Sequence, residues 1–189
     1  MFMDKTSLGP RPLLFPMPVV LVGANVGGKP NFMTVAWAGI SNWVPPMVSV
    51  AINHVRHTNK GIKENKTFSV NVPSKEHIVE ADYCGMVSGS RIDKSNIFET
   101  FYGKLGTAPM ISECPVCLEC RLHHIIDLGS HDLFTGEIVE VYVDNKCMTD
   151  GVPDIKKINP LIYSSSTGDY WGVGDFLGKG YTIGKGYKK

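Results

Sequence analysis

Apolar and polar positions alternate over residues 32–37, placing Phe32, Thr34 and Ala36 on one side of an extended chain and Met33, Val35 and Trp37 on the other. This period of two predicts a β-strand. A glycine-containing loop closed by Pro45-Pro46 follows. A second strand is predicted over 47–52, with Val48, Val50 and Ile52 on one face and the small Ser49 and Ala51 on the other. The bulky apolar faces suit a core. The face bearing Thr34, Ala36, Ser49 and Ala51 leaves room for a flat ligand to lie against backbone.

The same stretch ends in Arg56-His57-Thr58, ahead of a helix predicted over 59–65 with Thr58 as its N-cap. A helix start offers free N–H groups and a partial positive charge, both favourable to phosphate. Arg56 can hold an anion through two parallel hydrogen bonds, and His57 adds a donor. A shelf for a planar ring that ends in an anion site is the shape flavin mononucleotide requires. A buried hairpin followed by a solvated arginine gives the same periodicity, so the pattern alone leaves both readings open.

The rest of the chain reads mostly as short strands. Residues 19–23 form one, joined to the 32–37 strand by the turn at Gly27-Gly28-Lys29-Pro30. Others are predicted over 67–72, 118–126, 133–143 and 161–163. A helix starts near Lys75 behind Ser74 as cap and stops at Cys84-Gly85. Residues 97–102 read as a short helix or a connection, and His131-Asp132 as a turn before the 133–143 strand. Gly9, Pro10, Pro12 and Pro16 make residues 1–16 an extended arm. Short strands with two or three helices predict a barrel or sandwich rather than repeated βαβ units.

Composition narrows the function classes. A chain of 189 residues is read as one domain, 1–189. A net charge of +1 gives no electrostatic signal for nucleic acid. No apolar run reaches the ~20 residues that span a bilayer, and Pro16 and Pro18 interrupt the apolar run over 13–22, so neither membrane insertion nor a signal peptide is read. Five cysteines, an odd count, predict reduced thiols and a cytoplasmic location.

The order N-x-M-T-x-A-W (Asn31 to Trp37), P-P-x-V-x-V-A-I (Pro45 to Ile52) and R-x-T opening a helix (Arg56 to Thr58) resembles the flavin reductase-like family, with the flavoredoxin branch nearest. Ala81 to Gly85, Ser88-Gly89, Asp93-Lys94, His131 to Val139 and the tail from Tyr170 also match. The resemblance implies a mainly β fold, an FMN-binding split β-barrel with a few peripheral helices, working as a homodimer with the flavin near the interface. It places Thr34, Val35, Ala36 and Trp37 along the ring and ribityl chain, and Ser49 and Ala51 towards the phosphate end. Arg56, His57 and Thr58 then take the phosphate. Ser88, Gly89 and Lys94 approach the flavin, with Lys94 near the N1 and O2 edge. Trp37 as a core residue and Lys94 as a surface partner of Asp93 are the competing readings.

Other motifs carry less. Cys114-x2-Cys117-x2-Cys120 has thiolate spacing used by iron–sulfur and zinc sites, but the fourth position of the cluster run is His124, followed by Ile125 instead of proline. Strand alternation puts Cys114 and Cys120 on one face and Cys117 on the other, so these are read as buried thiols and no metal site is assigned. Cys84 falls at a helix end, where no dipole activates it. His54-x2-His57 is too sparse for a metal. No G-x-G-x-x-G occurs, so NAD(P)H has to lie directly on the flavin, where Tyr170, Trp171 and Tyr181 either cover the cleft or pack a subunit interface.

The expected function is therefore a non-covalent FMN protein that carries electrons or hydride. It either serves other redox proteins, as flavoredoxin does, or acts as an NAD(P)H-dependent flavin or ferric reductase. A split barrel that binds another ligand without redox chemistry is the third reading.

Overall fold

The computed structural model describes residues 4–187. Residues 4–16 carry neither helix nor strand; residues 1–3 of the expected arm lie outside the described residues. The chain continues through β1 (Met17–Pro18), β2 (Val20–Val26), β3 (Lys29–Val35), β4 (Ala38–Asn42) and β5 (Met47–Asn53). Helix α1 (His57–Asn65), β6 (Thr67–Val72) and α2 (Ile78–Met86) come next, then the two-residue strands β7 (Thr100–Phe101) and β8 (Met110–Ile111). The long strands β9 (Val116–Asp127) and β10 (His131–Val143) follow. Then come β11 (Met148–Thr149), β12 (Val152–Pro153), α3 (Ile155–Ile158), β13 (Ile162–Ser164) and β14 (Asp169–Trp171).

Seven strands pair antiparallel in the order β3-β2-β6-β9-β10-β5-β4. The edge strands β3 and β4 are consecutive in the chain, joined only by Ala36 and Trp37. Laid flat, the outer strands of such a sheet would stand about 29 Å apart. The link from Val35 to Ala38 reaches at most about 11 Å. The sheet is therefore curled until its two edges meet at the Ala36–Trp37 corner, and the fold is mainly β with few helices.

Burial explains why the alternation holds. Met33 and Val35 point into the curled sheet with Val48, Val50 and Ile52, where they meet Val22, Ile62, Phe68 and Phe134. Phe32 points outward, yet it is fully buried, because the outer surface of β2 and β3 is covered by a second cluster containing Leu21, Cys84, Phe98, Met110 and Ile111. Phe32 meets Phe98 edge-on with ring centroids 5.9 Å apart.

Several expectations are corrected. The glycine-containing loop after Trp37 is strand β4. As an edge strand exposed over four of its five residues, it needs no second apolar face and so shows no alternation. Helix α1 starts at His57 with Arg56 in the N-cap position, and neither Arg56 nor Thr58 caps it by a side chain. Thr58 is buried in the first turn, where its hydroxyl accepts a 2.7 Å hydrogen bond from Asn31 Nδ2. Ser74 makes no cap bond either: a short 3-10 turn, Lys75–His77, intervenes before α2, which runs past Gly85 to Met86. Residues 97–102 contain β7 and no helix, and His131-Asp132 opens β10. Cys114 lies before β9 and shares the second cluster with Cys117, whereas Cys120 points into the curled sheet, so the expected face assignment fails at Cys114.

Candidate functional site

The Ala36–Trp37 corner forms the rim of a cleft of about 310 Å³. Thr34, Val35, Ala36, Trp37 and Ala51 all line it, joined by His131. Val35 is itself buried in the core. Trp37 is 43% exposed and tilts against His131, with ring centroids 4.9 Å apart. It is therefore a wall of the cleft and not a core residue. Asn53 lies along the same cleft and was not expected there. The edge position of β3, which runs into the corner, leaves this backbone uncovered.

A second, tighter recess lies at the mouth of α1. It is lined by Arg56, His57, Thr58, Ser88, Gly89 and Lys94. Met33 and Arg56 border both hollows, so the two form one elongated depression. The N–H groups of His57 and Thr58, at the start of α1, have no acceptor within the helix, whereas that of Asn59 donates to Arg56 O at 3.0 Å. Gly89 makes the recess possible: a Cβ there would fall 2.0 Å from Asn31 Oδ1 and 3.0 Å from His57 Cδ2.

Charge in the recess is unbalanced. Lys94 is 3% exposed, and its ammonium donates to the carbonyls of Cys84 at 3.1 Å and Val87 at 3.2 Å. Burial lowers its pKa below the ordinary lysine range; the Cys84 thiol opposes that shift and Arg56 adds to it. Asp93 is not its partner, being paired with Lys29 at 2.8 Å. The Arg56 guanidinium donates only to Gly85 O, at 3.4 Å, among the described residues. Among the described residues neither cation meets a carboxylate. Two such cations, one of them desolvated, beside unused helix N–H groups leave a site complementary to a dianion. Lys94 thus lies in the recess at the mouth of α1 and does not line the cleft at the Ala36–Trp37 corner.

Ser49 is not brought into either hollow; its hydroxyl donates to Gly39 O of β4 at 3.3 Å. A further pocket of about 300 Å³ lies on the other side of Thr34 and Ala36, bounded by Asp82, Tyr163 and Tyr170. Tyr170 donates its hydroxyl to Asp82 at 2.8 Å, while Thr34 donates to Ala81 O. Trp171 and Tyr181 are exposed and line none of these hollows.

The cysteines add no chemistry here. All five are free and buried. Burial pushes Cys84 up to about 11, against the pull of Lys94, and Cys117 up to about 12. Asn31 and Asn53 are the residues that motif reasoning left without a role in the site. Asn31 was marked only as part of the family pattern, and His131 was read as part of a turn with a role in electron or proton transfer, not as a wall of the cleft.

A curled antiparallel sheet with a ring-sized cleft at its seam and an anion recess beside it defines a flavin-binding redox fold. The chain belongs to the flavin reductase like domain family, whose match covers residues 13–171. It is similar to flavoredoxin from Methanosarcina acetivorans, with a TM-score of 0.94 and 43% identity over 96% of this chain and 98% of that one. Flavoredoxin of Desulfovibrio vulgaris (Miyazaki F) superposes with a TM-score of 0.89 at 38% identity, over 95% of this chain and 99% of the other. A ferric-chelate reductase (NAD(P)H) from Archaeoglobus fulgidus is 28% identical over 100 residues, 52% of this chain and 59% of the relative.

Proposed function

We propose that the chain binds FMN non-covalently and carries electrons between redox partners, as its flavoredoxin relatives' name implies. The observation that carries this reading is the convergence of Arg56 and buried Lys94, without a carboxylate, on the mouth of α1. The terminal phosphate of FMN supplies the missing negative charge. The cleft edged by Thr34, Ala36 and Ala51 takes the ring, with Trp37 and His131 as its wall. Bound FMN supplies reversible one- and two-electron chemistry. The chain's own part is to hold the phosphate with Arg56, His57, Thr58 and Lys94, and to offer backbone to the ring from the β3–β4 corner. Lys94 also keeps a positive charge close to the cofactor, favouring its reduced, more anionic form.

Exposed apolar side chains on the arm, on β4 and on the β4–β5 turn, including Leu14, Phe15, Ile40, Trp43 and Val44, support a homodimer that buries this surface. Five free thiols agree with a reducing, cytoplasmic compartment, and among the described residues no helix is long and apolar enough to cross a membrane.

A reductase reading is favoured by one observation: the pocket beyond Thr34 and Ala36, with Asp82 and Tyr170, offers space for a second planar group next to the ring cleft. Stopped-flow mixing separates the two. Bleaching of the bound flavin by NADH or NADPH, with turnover on ferric chelate, establishes the reductase. A flavin that ignores both nucleotides but accepts electrons from a reduced ferredoxin-type donor establishes the carrier. A protein that purifies without FMN and does not take it up removes both.

A further inference from the structure

His54, Asp127 and Asp132 converge from the turn just after β5, the end of β9 and the start of β10. His54 Nε2 lies 3.4 Å from Asp132 Oδ1 and 3.5 Å from Asp127 Oδ1, and all three donor atoms lie within 4.8 Å of one another. We propose that these three residues form a binding site for one divalent first-row transition ion of the zinc type.

The spacing fits. Zinc bonds of about 2.0–2.2 Å to nitrogen and oxygen in a tetrahedron put neighbouring donors about 3.4 Å apart. The two edges from His54 already have that length. Three protein donors leave a fourth position open, and His54 and Asp127 are exposed, so an ion has a path in.

The carboxylates also call for a cation. Asp127 and Asp132 are directly opposed cross-strand partners, an arrangement in which like charges destabilise a sheet. Asp132 is only 4% exposed. Its Oδ2 accepts from Asn59 at 2.8 Å and from the Lys63 ammonium at 2.6 Å. Its Oδ1 takes no hydrogen bond from the described residues and aims at His54 and Asp127. A carboxylate fixed through one oxygen and open through the other has the arrangement of a supported metal ligand. Asp127 Oδ1, the oxygen that faces His54, also accepts from the backbone N–H of Gly129 at 2.7 Å, which fixes its direction and occupies one of its two lone pairs. Lys63 neutralises one of the two carboxylates, which moderates affinity but leaves negative charge for the ion.

One imidazole and two carboxylates suit zinc, manganese or ferrous iron, whereas magnesium prefers an all-oxygen, largely hydrated shell. The competing explanation is an imidazolium at His54 that pairs with both carboxylates and leaves no vacancy for a metal.

Calorimetric titration of the chelator-treated, flavin-loaded protein with Zn2+ tests the site, with Mg2+ run alongside. One saturable Zn2+ per chain is expected. Its affinity should fall at least about tenfold in His54→Gln and in Asp127→Asn, two exposed positions whose change spares the core, and stay unchanged in His123→Gln/His124→Gln. The His54 imidazole nitrogen resonances should shift on addition of Zn2+. Absence of saturable binding, undiminished binding in both site variants, or equal affinity for Mg2+ would each overturn the proposal.

Discussion

The rings of Trp37 and His131 meet with centroids 4.9 Å apart and planes 38° from one another, although 94 positions separate them in the chain. One comes from the corner that closes the sheet and the other from the first residue of β10. Together they wall the cleft assigned to the flavin ring. Replacing His131 by Ala removes Trp37's support, and aromatic contacts of this kind contribute about 1 kcal/mol. Titration of the apo-protein with FMN, followed by flavin fluorescence, should show about fivefold weaker binding for His131→Ala. Unchanged affinity would remove His131 from the site.

Arg56 is exposed, and its guanidinium makes one long hydrogen bond, to Gly85 O. It contributes little to folding by itself. Arg56→Ala should therefore leave the thermal midpoint of the apo-protein nearly unchanged. It should weaken FMN binding by about 2 kcal/mol, or about thirtyfold, the scale of a charge-assisted hydrogen bond.

Lys94 should behave oppositely in the two states. Its buried ammonium opposes folding of the apo-protein, so Lys94→Met is expected to raise the apo thermal midpoint while lowering FMN affinity. The pH dependence follows from its lowered pKa. The folded apo-state binds fewer protons at Lys94 than the unfolded chain, so this group makes apo stability rise with pH below the ordinary lysine range. FMN affinity should run the other way. It holds while Lys94 is protonated and falls as pH rises through the lowered pKa. In Lys94→Met that alkaline loss should disappear.

Gly89 and Gly39 give a matched pair of substitutions. Gly89→Ala drives a Cβ to within 2.0 Å of Asn31 Oδ1, whereas a Cβ at Gly39 meets nothing within 4 Å. Gly89→Ala should cost on the order of 1–3 kcal/mol and disturb the Asn31–Thr58 hydrogen bond, with loss of FMN binding. Gly39→Ala should match the parent protein by thermal melting and by FMN titration.

The buried thiols give an alkaline signature. Cys84 and Cys117 hold their protons to about 11 and about 12 in the fold. Unfolded thiols release theirs from pH 9, so above that point the unfolded state carries fewer protons and stability falls. Each thiol should contribute a slope of about 1.4 kcal/mol per pH unit while its folded form stays protonated. In denaturant all five cysteines should alkylate readily, and in the native protein at pH 8 they should react slowly.

What could be read in the sequence follows from what each feature depends on. Strands β5, β6, β9 and β10 were visible because one face of each is held to apolar residues by the core. Strand β4 was not, because an exposed edge imposes no such pattern. The anion recess was half visible: Arg56, His57 and Thr58 are contiguous, so a motif finds them. Lys94 near the ring edge was implied by the resemblance, and a surface pairing with Asp93 was the competing reading; nothing in its flanking residues says that Asp93 turns away to Lys29 and leaves it buried beside Arg56. Thr58 was read as a cap because capping is local, whereas its actual partner, Asn31, arrives from a different strand. The grouping of His54 with Asp127 and Asp132 has no local signature at all. It is created by the register of β9 on β10 and of β10 on β5.

The corner at Ala36 and Trp37 fastens the first long strand pair to the last while serving as the rim of the cofactor cleft. The joining of the curled sheet's two edges and the proposed reception of the ligand thus share two residues. Lengthening that junction by even a single amino acid would slacken the seam and shift the rim together, so variants there should lose shape and guest in one step.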